Sequence, residues 1–79
     1  MTIYHQPGAA VRADVRFPQG RELAAELVRD GVPEDVVMTV LGSRPTNHNP
    51  LIFDASPELL LQVPGRGEKW VDQRKVMAA

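Results

Sequence analysis

The chain contains no cysteine, one tryptophan and two histidines among its 79 residues. Without cysteine it forms neither disulfide bonds nor thiolate-ligated zinc sites, and it has no thiol nucleophile. The two histidines, His5 and His48, are too far apart in the sequence to form a recognisable metal-binding motif. We therefore expect no metal ion, no cofactor and no enzymatic activity.

Long apolar runs and a strong excess of one charge are also absent. No run approaches the roughly 20 apolar residues that a helix needs to span a bilayer. The N-terminus lacks the basic start and apolar run of a signal peptide. The net charge of −1 gives the whole molecule no strong attraction to nucleic acid. We expect a cytoplasmic protein of bacterial or viral type that makes no membrane contact.

The short length predicts a single domain, residues 1–79, of marginal stability. A chain of this size buries only about 60% of the surface that it exposes when unfolded. A partner subunit is one remaining way to bury more surface, so a homodimer is one expectation.

The pattern of apolar and polar residues divides the chain into segments. Residues 1–9 are predicted to be a flexible arm, and residues 10–17 alternate as a strand does. Two short helices follow in 20–42, a hairpin region occupies 51–72, and the tail, 73–79, either frays or adds a helical turn. This order predicts a small α+β domain in which a three- to four-stranded antiparallel sheet is packed by the helical pair, with the first strand beside the late hairpin.

The helical pair is the most informative segment. Leu23 and Leu27 have helical spacing, which predicts a first helix over Arg21–Asp30. Gly31 suits the position after a helix end, and Pro33 suits the first position of the next helix. The buried stripe predicted for the second helix consists of Val36, Val37, Val40 and Leu41.

The same segment resembles the helix-turn-helix of bacterial repressors. Gly31 and Val32 match the turn glycine and the apolar residue after it, and Val37 and Val40 match positions where the second helix packs on the first. The resemblance implies DNA binding, with five residues facing the bases: Pro33, Glu34, Asp35, Met38 and Thr39. Residues 20–42, however, carry two arginines against five carboxylates, a net charge of −3 that opposes phosphate binding.

The hairpin region contains the only tryptophan, Trp70. The segment before Pro64 fits either a strand or a short helix, and we favour a strand that turns at Pro64–Gly67 and returns antiparallel. Arg66 and Lys69 would then flank Trp70 at the hairpin tip. Trp70 is expected either to anchor a partner or to fill the core.

The residues predicted to bind a partner come from the acidic pair, a polar loop and the hairpin: Glu34, Asp35, Met38, Arg44, Asn47, His48, Arg66, Lys69 and Trp70. They predict a small regulatory protein, such as a transcription regulator or a phage-type inhibitor, that binds a protein of a larger machine. The alternatives are a helix-turn-helix DNA-binding protein of the repressor type and a structural subunit of an assembly.

Overall fold

A computed structural model describes residues 5–44 and 57–79 of the chain. It shows a small α+β fold with one helix and a five-stranded antiparallel sheet. The elements follow in the order β1 (Ala10–Ala13), α1 (Pro18–Arg29), β2 (Met38–Arg44), β3 (Glu58–Val63), β4 (Gly67–Asp72), a 3-10 turn (Gln73–Lys75) and β5 (Val76–Ala78).

The sheet has the strand order β4-β3-β2-β1-β5. Its two edge strands, β4 and β5, are joined by only three residues, Gln73–Lys75. The edges of a flat five-stranded sheet would lie about 19 Å apart. The connection covers at most about 14 Å. The edges therefore approach each other, and the 3-10 turn between them packs against α1.

Helix α1 begins at Pro18, three residues earlier than the spacing of its apolar residues predicts. Proline suits the first turn of a helix, and it keeps the preceding residue, Phe17, in an extended conformation. The strand predicted over 10–17 is consequently too long, because β1 ends at Ala13. The helix ends before Gly31, which has a φ of +81° as expected for a residue after a helix end.

The predicted second helix is wrong. From Met38 onward the chain forms β2, which lies between β1 and β3. Met38 and Val40 are buried whereas Thr39 and Leu41 are exposed, an alternation of two that belongs to a strand. Valine and threonine lose side-chain freedom in a helix and pack well in a sheet, so this sequence favours the strand once neighbouring strands are present. The chain therefore has no recognition helix at 33–42, and the helix-turn-helix resemblance implies the wrong fold.

The hairpin of β3 and β4 is confirmed. Leu60 pairs with Trp70, and the turn contains Gly65 with a φ of +80°. The predicted pairing of this hairpin with β1 is wrong, because β3 pairs with β2 and β1 lies between β2 and β5. The tail forms the 3-10 turn, where a helical turn was one of the two expectations, and then β5, a strand that patterning did not predict. The part of the predicted 51–72 region before Pro57 lies outside the described residues.

The core lies between α1 and the sheet face that points toward it. The helix contributes three buried side chains, Leu23, Ala24 and Leu27. The buried apolar residues outside the helix are Val11, Ala13, Val32, Met38, Val40, Leu59, Leu61, Val63, Val71 and Val76. Because successive strand residues point to opposite faces, the residues between these buried positions lie on the outer face of the sheet.

Candidate functional site

The outer face of the sheet carries a row of residues across three strands. Trp70 of β4 pairs with Leu60 of β3, and Leu60 pairs with Gly42 of β2. Trp70 is 36% exposed, and Leu60 is half-buried. A large aromatic ring is thus held at the surface by a strand rather than by a loop.

Arg44 lies over the ring of Trp70. The guanidinium carbon is 4.0 Å from the centre of the ring, well within the range of a cation–π interaction. Arg44 belongs to β2, and its backbone pairs with Glu58 of β3, so its side chain crosses β3 to reach β4. Its Nε donates a hydrogen bond of 3.1 Å to Glu58 Oε1, which fixes the direction of the side chain.

These contacts order the surface and contribute little to folding. An exposed cation–π pair stabilises a protein by about 0.5–1 kcal/mol. An exposed ion pair such as that of Arg44 and Glu58 contributes about 0–1 kcal/mol. Their main consequence is that the side chains of Trp70 and Arg44 are held together at the surface.

A β-bulge in β2 adds an exposed leucine, Leu41, next to this row of residues. The register of β2 and β3 shifts between Val40 and Gly42, which leaves Leu41 without a partner opposite it. Leu41 is 40% exposed. At Gly42, apart from its two chain neighbours, no atom of the described residues lies within 4 Å of where a Cβ would be, so the described surface beside Leu60 is open. We call Leu41, Arg44, Leu60 and Trp70 the Trp70 face.

Two arginines, Arg44 and Arg74, each make a short contact with a carboxylate of the outer face. Arg44 is paired with Glu58. Asp72, two residues beyond Trp70 on β4, binds the guanidinium of Arg74 with an N–O distance of 3.0 Å. A protein that binds nucleic acid offers its cations to phosphate groups. Here both arginines already contact a carboxylate.

Lys69 and Arg66 do not join the Trp70 face. Lys69 Nζ lies 3.0 Å from Glu26 Oε2 of α1, and Arg66 lies 3.8 Å from Asp30 at the end of α1. The Lys69 ammonium lowers the pKa of Glu26 below its usual range, against the opposing effect of partial burial. The predicted grouping of both cations with Trp70 is therefore wrong. They tie the hairpin to the helix, around a cavity of about 260 Å³.

The remaining predicted site residues are dispersed. Met38 is fully buried in the core, so the expectation that it faces a partner is wrong. Glu34 and Asp35 are exposed in the turn between α1 and β2, where they line a separate groove beside Val15. Asn47 and His48 lie outside the described residues. Of the nine predicted residues, the structure brings together Arg44 and Trp70.

Sequence reasoning missed Leu60 and Leu41. Leu60 lies in the run Leu59–Leu61, in which all residues are apolar and the alternation of faces is hidden. The turn at Pro64–Gly67 was the sequence signal from which the position of Leu60 could have been predicted, because a hairpin about that turn pairs Leu60 with Trp70. The exposure of Leu41 had no such signal, since a bulge forms only against a neighbouring strand.

No protein-family model matches the sequence, and neither a curated protein nor a solved structure matches it. Within residues 5–44 and 57–79, no cluster of three or more His, Asp or Glu side chains is arranged to hold a metal ion. Over the same residues, no helix has the length and apolar character needed to cross a membrane.

Proposed function

We propose that the protein is a small non-enzymatic regulator that acts by binding another protein through the Trp70 face. The observation that carries the proposal is the stacking of Arg44 on an exposed Trp70, at 4.0 Å. Tryptophan and arginine are, with tyrosine, the residue types enriched among those that dominate the free energy of protein–protein binding. Leu41 and Leu60 add apolar surface around them.

The rigidity of the face supports the proposal. All four of its residues belong to strands of one sheet. Binding costs free energy when side chains must be ordered, and a side chain that is already ordered avoids much of that cost. The contacts of Arg44 with Trp70 and Glu58 provide this order in the unbound protein.

The chemistry of the face indicates the kind of partner. A guanidinium has five N–H donors, and Glu58 accepts from the Nε of Arg44. The remaining donors suit a carboxylate of the partner, while Trp70 and Leu60 suit an apolar side chain. We therefore propose a partner surface that presents an acidic residue beside an apolar one.

A capture experiment tests the proposal. Tagged wild-type protein is expected to retain a partner from a lysate of the source organism, and Trp70→Ala and Arg44→Ala are each expected to lose it. Phe17→Ala is the matched control, because Phe17 is also an exposed aromatic residue near an arginine, Arg16, but it lies at the start of α1. A partner that Trp70→Ala retains as well as the wild type does would refute the proposal.

Fluorescence gives a direct readout once a partner is purified. Trp70 is the only tryptophan, so its emission should shift to shorter wavelength when the partner covers it. Anisotropy of labelled random duplex DNA, measured at low and moderate salt, tests the DNA-binding alternative. An affinity for DNA that falls steeply with salt would replace the protein-binding proposal, because phosphate contacts release counterions.

A further inference from the structure

A second surface lies beside α1 and β1. Two adjoining depressions of about 470 and 190 Å³ share Val15 and Glu34 in their walls. We call this surface the Val15 groove and define it by Val15, Val28, Arg12, Arg21, Glu34 and Asp35. It contains none of the residues of the Trp70 face.

The floor of the groove is apolar and uncovered. Val15 is 47% exposed and Val28 is 56% exposed, and both line the larger depression together with Ala24 and Ala25 of α1. Burial of apolar surface is the main source of stability, and a chain of 79 residues has little surface to leave unburied. Two valines exposed side by side in such a chain indicate a contact surface.

The basic and acidic residues of the groove come from different parts of the fold. Arg12 comes from β1 and Arg21 from α1, whereas Glu34 and Asp35 come from the turn between α1 and β2. None of these four residues takes part in the ion pairs found among residues 5–44 and 57–79. The groove therefore presents two basic and two acidic side chains together with the apolar surface of Val15 and Val28.

We propose that the Val15 groove is where two copies of this chain bind each other about a twofold axis. Such an axis brings one side of a surface against the other side of the same surface in the partner copy. Arg21 of each copy then faces Glu34 of the other, and the valines of both copies meet near the axis. A surface with both charge signs and an apolar centre is complementary to a second copy of itself. Binding to an unrelated partner would not require this self-complementarity.

Sedimentation equilibrium with charge-reversed variants tests this arrangement. The wild-type mass is expected to rise with concentration from 8.7 kDa toward twice that value. Arg21→Glu and Glu34→Arg should each weaken self-association by about tenfold or more, because each places like charges together twice in the dimer. An equimolar mixture of the two variants should associate as the wild type does, since each reversed charge then meets its opposite in the other chain.

The mixture of the two variants distinguishes an ion pair between two copies from an ion pair within one copy. An ion pair inside one chain would be lost in both variants, and mixing them would not restore it. Arg29→Glu and Glu22→Arg are matched controls, because both residues lie in α1 beside a different depression. They should leave the mass curve of the wild type unchanged. Val28→Lys should weaken self-association as the charge reversals do, with the circular dichroism spectrum unchanged.

Three results would overturn the proposal: a mass of one chain at every concentration, self-association that Val28→Lys leaves intact, or variants whose mixture stays dissociated. If the wild type is a monomer that binds a different protein, and Val28→Lys abolishes that binding, the groove is the binding site of that protein instead. The test is independent of the Trp70 face, because Trp70→Ala should leave the mass curve unchanged.

Discussion

The backbone of Gly20 lies directly against the carbonyl group of Asp14. A Cβ on residue 20 would overlap that carbonyl, and Gly20 is buried in the first turn of α1. The same Asp14 oxygen accepts a hydrogen bond from the backbone N–H of Phe17 at 3.3 Å. The close approach thus fixes how the chain passes from β1 into α1.

Replacing Gly20 with alanine should destabilise the protein strongly. Alanine is favoured over glycine in a helix by about 1 kcal/mol. The overlap with Asp14 should exceed that gain, and we expect a net loss of about 2 kcal/mol or more. Gly42→Ala is the control, because a Cβ there meets open space. Urea unfolding of both variants measures the difference, and equal midpoints would show that Gly20 has room for a Cβ.

Alanine substitutions at Met38 and Val37 distinguish the strand from the predicted helix. In the structure Met38 is fully buried and Val37 is 51% exposed, whereas the helix would have buried Val37 and exposed Met38. Met38→Ala should cost about 2–5 kcal/mol of unfolding free energy. Val37→Ala should change it by about 0.5 kcal/mol or less. The reverse order of costs would support the helix.

The stability of the protein should fall in acid partly through Asp14. The Arg16 guanidinium, whose Nε and NH2 donate hydrogen bonds of 2.8 and 3.0 Å to the Asp14 carboxylate, lowers the pKa of Asp14 below its usual value of 3.8. Partial burial opposes this shift. Because the folded protein holds Asp14 ionised more readily than the unfolded chain does, its stabilising contribution is complete above pH 3.8 and is lost as the pH falls through the folded-state pKa.

Asp14→Asn tests this contribution. The variant should be less stable than the wild type at neutral pH, and the difference in unfolding free energy should narrow as the pH falls below 3.8. Glu26 also has a lowered pKa, but it is present in both proteins and cancels in the comparison. A difference that stays constant across this pH range would contradict the assigned role of Asp14.

Gly42→Val should separate partner binding from stability. A glycine within a strand costs about 0.5–1 kcal/mol, and the open space at Gly42 accepts a larger side chain, so the variant should unfold at slightly higher urea. The added methyl groups would cover the open surface beside Leu60 and should weaken binding to the partner of the Trp70 face. Unchanged affinity in this more stable variant would place the partner's contacts elsewhere.

The local pattern of apolar residues and turns was sufficient to predict part of the fold. Leu23 and Leu27 predict α1 because their spacing is that of one helix face, although the effect of Pro18 on its start was missed. The turn at Pro64–Gly67 predicts the β3–β4 hairpin, because strand pairing about a turn is set by residues close in the sequence. Trp70 and Arg44 were both predicted to bind a partner from their residue types, without any indication that they touch.

The tertiary structure decided the features that depend on contacts between residues far apart in the sequence. Residues 38–44 include the β-branched Thr39 and Val40, and they form a strand because β1 and β3 offer hydrogen bonds on both sides. The exposure of Leu41 follows from the bulge formed against β3. The stacking of Arg44 on Trp70 requires that β2, β3 and β4 be assembled first. The sequence by itself thus determined α1, the hairpin and the residue types of the site. The formation of β2 in place of a second helix, the strand order and the Trp70 face depended on strand pairing between remote segments, which no local pattern encodes.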